Sequence, residues 1–132
     1  MENCVFCKIV EGQIPAEKIY SDKGFLAFLD INPVNYGHCL VITKKHYPLM
    51  KDVPDEEISA AFNLCKKLMA KLKESLKADY VALSVVGVDV PHFHIHLIPR
   101  YFNDGMASFW PTKKYGEGDM KKVGERIRNN KD

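Results

Sequence analysis

No stretch of this sequence stays apolar for anything near the roughly 20 residues that a bilayer-spanning helix needs, so no membrane insertion is expected. The opening Met1-Glu2-Asn3-Cys4 lacks a basic segment leading into an apolar one, which argues against Sec export. An excess of one charge sign is missing too: Lys and Arg number 19 against 17 Asp and Glu, a net charge of +2. That balance advertises no nucleic-acid surface, although it does not oppose one anionic small molecule. Internal repeats and low-complexity segments are absent. Apolar residues at 46% and charged residues at 27% are ordinary globular usage, which suggests neither a fibrous nor a disordered chain.

What is there fits one domain, since 132 residues allow a real core but not two independent ones. Four cysteines invite a disulfide reading. Without a secretion signal, however, the reducing cytoplasm is the better expectation, and Cys4-x-x-Cys7 then reads as metal or redox chemistry. Cys39 and Cys65 fall inside apolar patterns and read as core packing.

Cys4 to Val10 is a short lead-in that Gly12 and Pro15 close. Strand patterns cover Glu17 to Tyr20 and Phe25 to Asp30, joined by a polar four-residue turn that suits antiparallel pairing. Asn, Pro and Gly mark residues 31–37 as a loop, and His38 to Thr43 reads as a buried strand. From Ile58 to Leu76 apolar positions recur every three or four residues, with lysines largely opposite, which predicts a long helix. Tyr80 to Val86 and Phe93 to Pro99 are β-rich and linked by Gly87 to Pro91. A polar helix is expected from about Asp119 to Asn129. The order predicts an α+β fold, a mostly antiparallel sheet covered on one face by helices.

His92-Phe93-His94-Ile95-His96 is the chemical centre of the sequence. In a strand, alternate residues share a face about 6.6 Å apart, so three imidazoles are expected on one side and Phe93, Ile95 and Leu97 on the other. With 5 histidines in 132 residues such a pattern arises by accident in only roughly 0.7% of chains, so it is read as functional. Histidine triples serve metal binding and direct nucleophilic or acid-base catalysis, and spacing alone leaves both open.

The run His92-Phe93-His94-Ile95-His96-Leu97-Ile98 resembles the signature of the histidine triad (HIT) family of nucleotide hydrolases and transferases. Phe6-Cys7-Lys8-Ile9, Ile14-Pro15-Ala16, residues 27–33 and residues 37–46 are similar to its successive blocks. The resemblance covers about residues 4–100, leaving 101–132 as a tail, and implies a five-stranded HIT-like sheet extended in a homodimer.

It also implies a purine nucleoside monophosphate derivative, such as a phosphoramidate or dinucleoside polyphosphate, attacked at its α-phosphorus by His94 to form a nucleotidyl-histidine intermediate. His96 would hydrogen-bond the phosphate or leaving atom, with His38 and His92 supporting the pocket. Asp30 would accept from the ribose hydroxyls. Phe6, Ile9, Phe28 and Ile31 would form an apolar slot for the base, with Asn32 beside it, and Gly87 and the amides near Asp89 and Val90 would approach the phosphate. One branch of the family joins a similar cysteine pair to two histidines, which implies a structural zinc on Cys4, Cys7, His46 and His92.

The chain departs from the family just before the triad, where Asp89 stands in place of a usual hydroxyl residue. A carboxylate aimed at a phosphate repels it, so Asp89 is expected either to point away or to answer a cationic or hydroxyl leaving group. Phe109-Trp110-Pro111 resembles aromatic tail residues that reach a partner's pocket in dimeric members. Two other readings stand beside the nucleophilic one: a tri-histidine catalytic zinc on His92, His94 and His96, and a nucleotide-binding regulatory module with negligible turnover.

Overall fold

Side-chain alternation in Phe25-Leu26-Ala27-Phe28 sends neighbours to opposite faces of a strand, yet all four are buried, so this strand is covered from both sides. The computed structural model describes residues 3–131 and supplies both covers. The strands are β1 (Lys18–Ser21), β2 (Phe25–Leu29), β3 (Cys39–Thr43), β4 (Tyr80–Ser84) and β5 (His94–Arg100). They form one antiparallel five-stranded sheet in the order β1-β2-β3-β5-β4, the α+β arrangement expected.

On one face lies the long helix, α2 (Asp55–Leu76), which packs Ala61, Leu64, Cys65, Leu68 and Leu72 over Phe25, Ala27, Cys39, Val41, Ile95 and Leu97. It starts before the predicted Ile58 because Asp55, Glu56 and Glu57 add no apolar period but suit the positive end of the helix dipole.

The opposite face corrects the expectation of helices on one side only. Residues Val5–Val10 form a short helix, α1, whose Phe6 and Ile9 pack over Leu26, Phe28, Leu40 and Ile42. Its first turn is held by the Cys4 sulfur, which accepts from the Cys7 N–H at 3.4 Å.

The last helix, α3 (Asp119–Asn129), lies where expected and has no buried residue. Among the described residues no helix is long and apolar enough to cross a membrane.

Boundaries around the histidine run differ from the periodic reading. β4 ends at Ser84 instead of Val86, and β5 begins at His94 instead of Phe93. Phe93 N–H donates to the Tyr47 carbonyl at 2.6 Å and His92 N–H to the Val90 carbonyl at 2.8 Å. His92 therefore stands outside the strand.

Candidate active site and metal-ligating cluster

The β3–β5 register opposes His94 to Ile42 and His96 to Leu40, which aims both imidazoles at the α1 face while Ile95 and Leu97 enter the α2 core. The two rings lie 5.0 Å apart, and that of His94 is almost wholly buried. His94 Nδ1 donates to the His92 carbonyl oxygen at 2.7 Å. A carbonyl only accepts, so the neutral ring carries its proton on Nδ1 and its lone pair on Nε2. That Nε2 is buried without a hydrogen-bond partner.

Asp89 faces the triad in this structure. Its Oδ1 lies 3.2 Å from His94 Nε2. The approach lacks hydrogen-bond alignment. Partial burial raises the Asp89 carboxyl, but its own N–H and that of Val90 stabilise its charge, and the carboxyl lies below the usual carboxylate range. The side chain remains 58% exposed and so has room to swing.

A second chain of contacts fixes His96. Val34 N–H donates to His38 Nδ1 at 3.1 Å, which leaves the His38 proton on Nε2. His38 Nε2 is 3.0 Å from His96 Nδ1 and 3.6 Å from an Asp30 oxygen. His96 thus accepts at Nδ1 and carries its own proton on Nε2. Burial pushes the pKa values of both rings down; Asp30 opposes this at His38, and His94 reinforces it at His96.

His92 belongs to a different cluster. Its Nε2 donates to the Thr43 carbonyl at 2.7 Å, so its Nδ1 lone pair faces Cys4 Sγ at 3.3 Å and Cys7 Sγ at 3.6 Å. His46 Nδ1 lies 3.3 Å from Cys7 Sγ. Donor atoms of Cys4, Cys7, His46 and His92 all fall within 4.8 Å of one another, a set able to hold a metal ion. Burial, then neighbouring Cys4, pushes the Cys7 thiol up to about 11, and a bound cation is what would draw such a thiol into its thiolate form. Among the described residues His92, His94 and His96 do not converge as one donor set, because His92 has turned toward the cysteines.

The remaining expected residues divide. Phe6, Ile9, Phe28 and partly buried Val90 pack together, with Phe6 edge-on to Phe28 and His94 at 5.6 and 5.1 Å. Ile31 is 91% exposed and stands clear of them. Asn32 is exposed too, its N–H donating to Asp30 Oδ1 at 2.9 Å. Gly87 adopts φ +79°, a conformation that side chains avoid. Sequence reasoning could not say which backbone groups hold the rings, namely the carbonyls of His92 and Thr43 and the amide of Val34. It also missed the open cleft beside His96, about 420 Å³, whose lining includes Val34, His38, Ile98, Phe109 and Trp110 of the same chain.

The HIT domain family model matches residues 11–103. A HIT-like protein of Methanocaldococcus jannaschii is 45% identical over 118 residues, 86% of this chain and 88% of its own length. An adenosine 5′-monophosphoramidase of Saccharomyces cerevisiae is 36% identical over 124 residues, 92% of this chain and 77% of that protein. Among solved structures, a HIT family member from Bacillus subtilis superposes with a TM-score of 0.84 at 33% identity, covering 98% of both chains. A zinc-bound histidine triad protein from Mycobacterium smegmatis gives 0.77 at 33% identity over 85% of each chain.

Proposed function

The chain belongs to the HIT domain family, and from that premise we propose that it is a nucleotide hydrolase or nucleotidyl transferase with His94 as its covalent nucleophile. One observation carries this reading: His94 spends its proton on the His92 carbonyl and holds a buried, unpartnered lone pair at Nε2. Such an imidazole needs no external base. Its Nε2 attacks the α-phosphorus of a purine nucleoside monophosphate derivative, the bond to the leaving group breaks, and water or another acceptor then displaces the nucleotide from nitrogen.

His96 presents its Nε2–H to a phosphate oxygen or the leaving atom. Asp30 accepts from the ribose, and the base lies at the rim of the Phe6, Ile9 and Phe28 cluster, with exposed Ile31 free to close over it. Phosphoramidates lead the substrate classes because the Saccharomyces relative is named for that activity. The backbone amides of Asp89 and Val90, with Gly87, serve the phosphate once the Asp89 carboxylate has swung aside.

Two thiols and two imidazoles form a closed donor set that fits tetrahedral zinc, leaving no position for a reactive water. Cys4, Cys7, His46 and His92 would hold it, and it would supply structure, joining α1 to the sheet.

A second copy is expected to pair along the edge strand β4, where Leu83 and, just past the strand, Val85 and Val86 are exposed. A light-scattering mass of twice 15.1 kDa checks this.

The test is turnover of adenosine 5′-phosphoramidate by the intact protein and by His94→Ala. The substitution is expected to abolish turnover while AMP still binds, and the parent protein quenched in alkali, where a phosphorus–imidazole bond survives, should carry one adenylyl group. Turnover that survives His94→Ala sinks the assignment.

A further inference from the structure

The cysteine–histidine cluster and His94 share one residue. The His92 ring faces Cys4 and Cys7 through Nδ1 at 3.3 and 3.6 Å and is pinned from the other side by Thr43. Its carbonyl meanwhile takes the proton of His94 Nδ1. A shift of the His92 backbone removes the acceptor that decides where His94 keeps its lone pair.

The second link runs through α1. Phe6 lies between the two cysteines in sequence, and its ring meets His92 and His94 edge-on at 5.8 and 5.1 Å. Six residues are far too few to form a stable helix alone. Only Phe6 and Ile9 of this helix are buried, and the cysteine–histidine cluster adds a second tie between its amino end and the sheet.

We propose that a metal held by Cys4, Cys7, His46 and His92 positions the nucleotide site, setting the tautomer of His94 through the His92 carbonyl and seating Phe6 against its ring. Metal occupancy and nucleotide binding are then thermodynamically coupled, although the metal touches no substrate. Phe6 and His92 act as positioning residues. The coupling is reciprocal: whatever factor the metal adds to AMP affinity, AMP adds to metal affinity.

The nucleotide part of this inference rests on the function proposed above, whereas the His94 part does not. Protein loaded with Co²⁺ is titrated against a chromophoric chelator with and without saturating AMP. AMP is expected to tighten metal binding roughly tenfold, within the usual range for coupled sites, and to alter the visible cobalt spectrum. A merely structural metal shows neither effect. AMP that binds and leaves metal affinity unchanged overturns the coupling.

Independently, ¹⁵N NMR of the His94 ring compares zinc-loaded protein with chelated protein whose far-UV circular dichroism is unchanged. The loaded protein is expected to show one Nδ1-protonated form and the chelated protein a tautomer mixture. If chelation unfolds the chain, His46→Ala provides the metal-poor state with Cys4, Cys7 and His92 intact. Identical His94 signals in the two folded states overturn the proposal. Turnover unaffected by metal removal would sink the positioning role and leave the function standing; His94 signals that follow the metal without turnover would do the reverse.

Discussion

His38 Nε2 lies 3.0 Å from His96 Nδ1, and the proton between them belongs to His38, because Val34 N–H already occupies the other His38 nitrogen. His96 is thereby turned into a donor at Nε2. His38→Ala is expected to lower kcat about 10- to 100-fold by freeing the His96 tautomer, with a much smaller effect on AMP affinity. Steady-state kinetics with adenosine 5′-phosphoramidate checks this, and a kcat within twofold of the parent would contradict it.

Asp89 places a carboxylate 3.2 Å from the nitrogen proposed to attack phosphorus, where a bound phosphate would need to sit. Two like charges about 4 Å apart repel by roughly 1 kcal/mol even in water, and by more in a partly buried site. Asp89→Ser is therefore expected to tighten AMP binding roughly tenfold by calorimetry. Unchanged affinity would mean that the exposed side chain swings aside at no cost.

Arg100 binds Asp104 through Nε at 2.7 Å and a second nitrogen at 3.1 Å. The guanidinium, against the opposing effect of burial and with help from the Tyr101 and Met106 amides and Asn35, holds the Asp104 carboxyl well below the usual carboxylate range. The folded form consequently binds fewer protons than the unfolded form as acidity rises. The stabilisation is complete above the unfolded value of about 4 and is lost as pH falls toward the folded one. The gap in thermal midpoint between the parent and Asp104→Asn should be steady above about pH 5 and close progressively below about pH 4. A gap that widens on acidification refutes this.

Gly37 adopts φ +97°, and a Cβ added there would overlap the Leu76 side chain and press on Pro99 at 3.2 Å. Gly37→Ala combines backbone strain with overpacking and is expected to cost about 3 kcal/mol in denaturant unfolding. A loss below about 1 kcal/mol would mean that Leu76 yields freely.

Much of this molecule is legible in local patterns. The three-and-four spacing through Ile58, Ala61, Phe62 and Cys65 announces α2, because helical periodicity is written into neighbouring residues. Alternation places His94 and His96 on one face, whereas the grouping of Cys4-x-x-Cys7 with His46 and His92 comes from the family resemblance and not from any local pattern. Burial on both faces of β2 was not legible, because whether Cys4 to Val10 returns over the sheet depends on partners far along the chain. The same holds for Ile31, which the family resemblance implies as a slot wall and which is exposed here.

The sequence by itself determined which imidazoles, thiols and carboxylates are present and that His94 and His96 share a strand face. Tertiary structure alone decided what each does with its protons. His92 leaves the strand to face cysteines 88 and 85 positions away, Thr43 holds its ring across 49, and its carbonyl sets the His94 lone pair. The physical reason is that every residue offers the same backbone N–H and C=O, so which of them meets an imidazole is a matter of fold and register, not of residue identity.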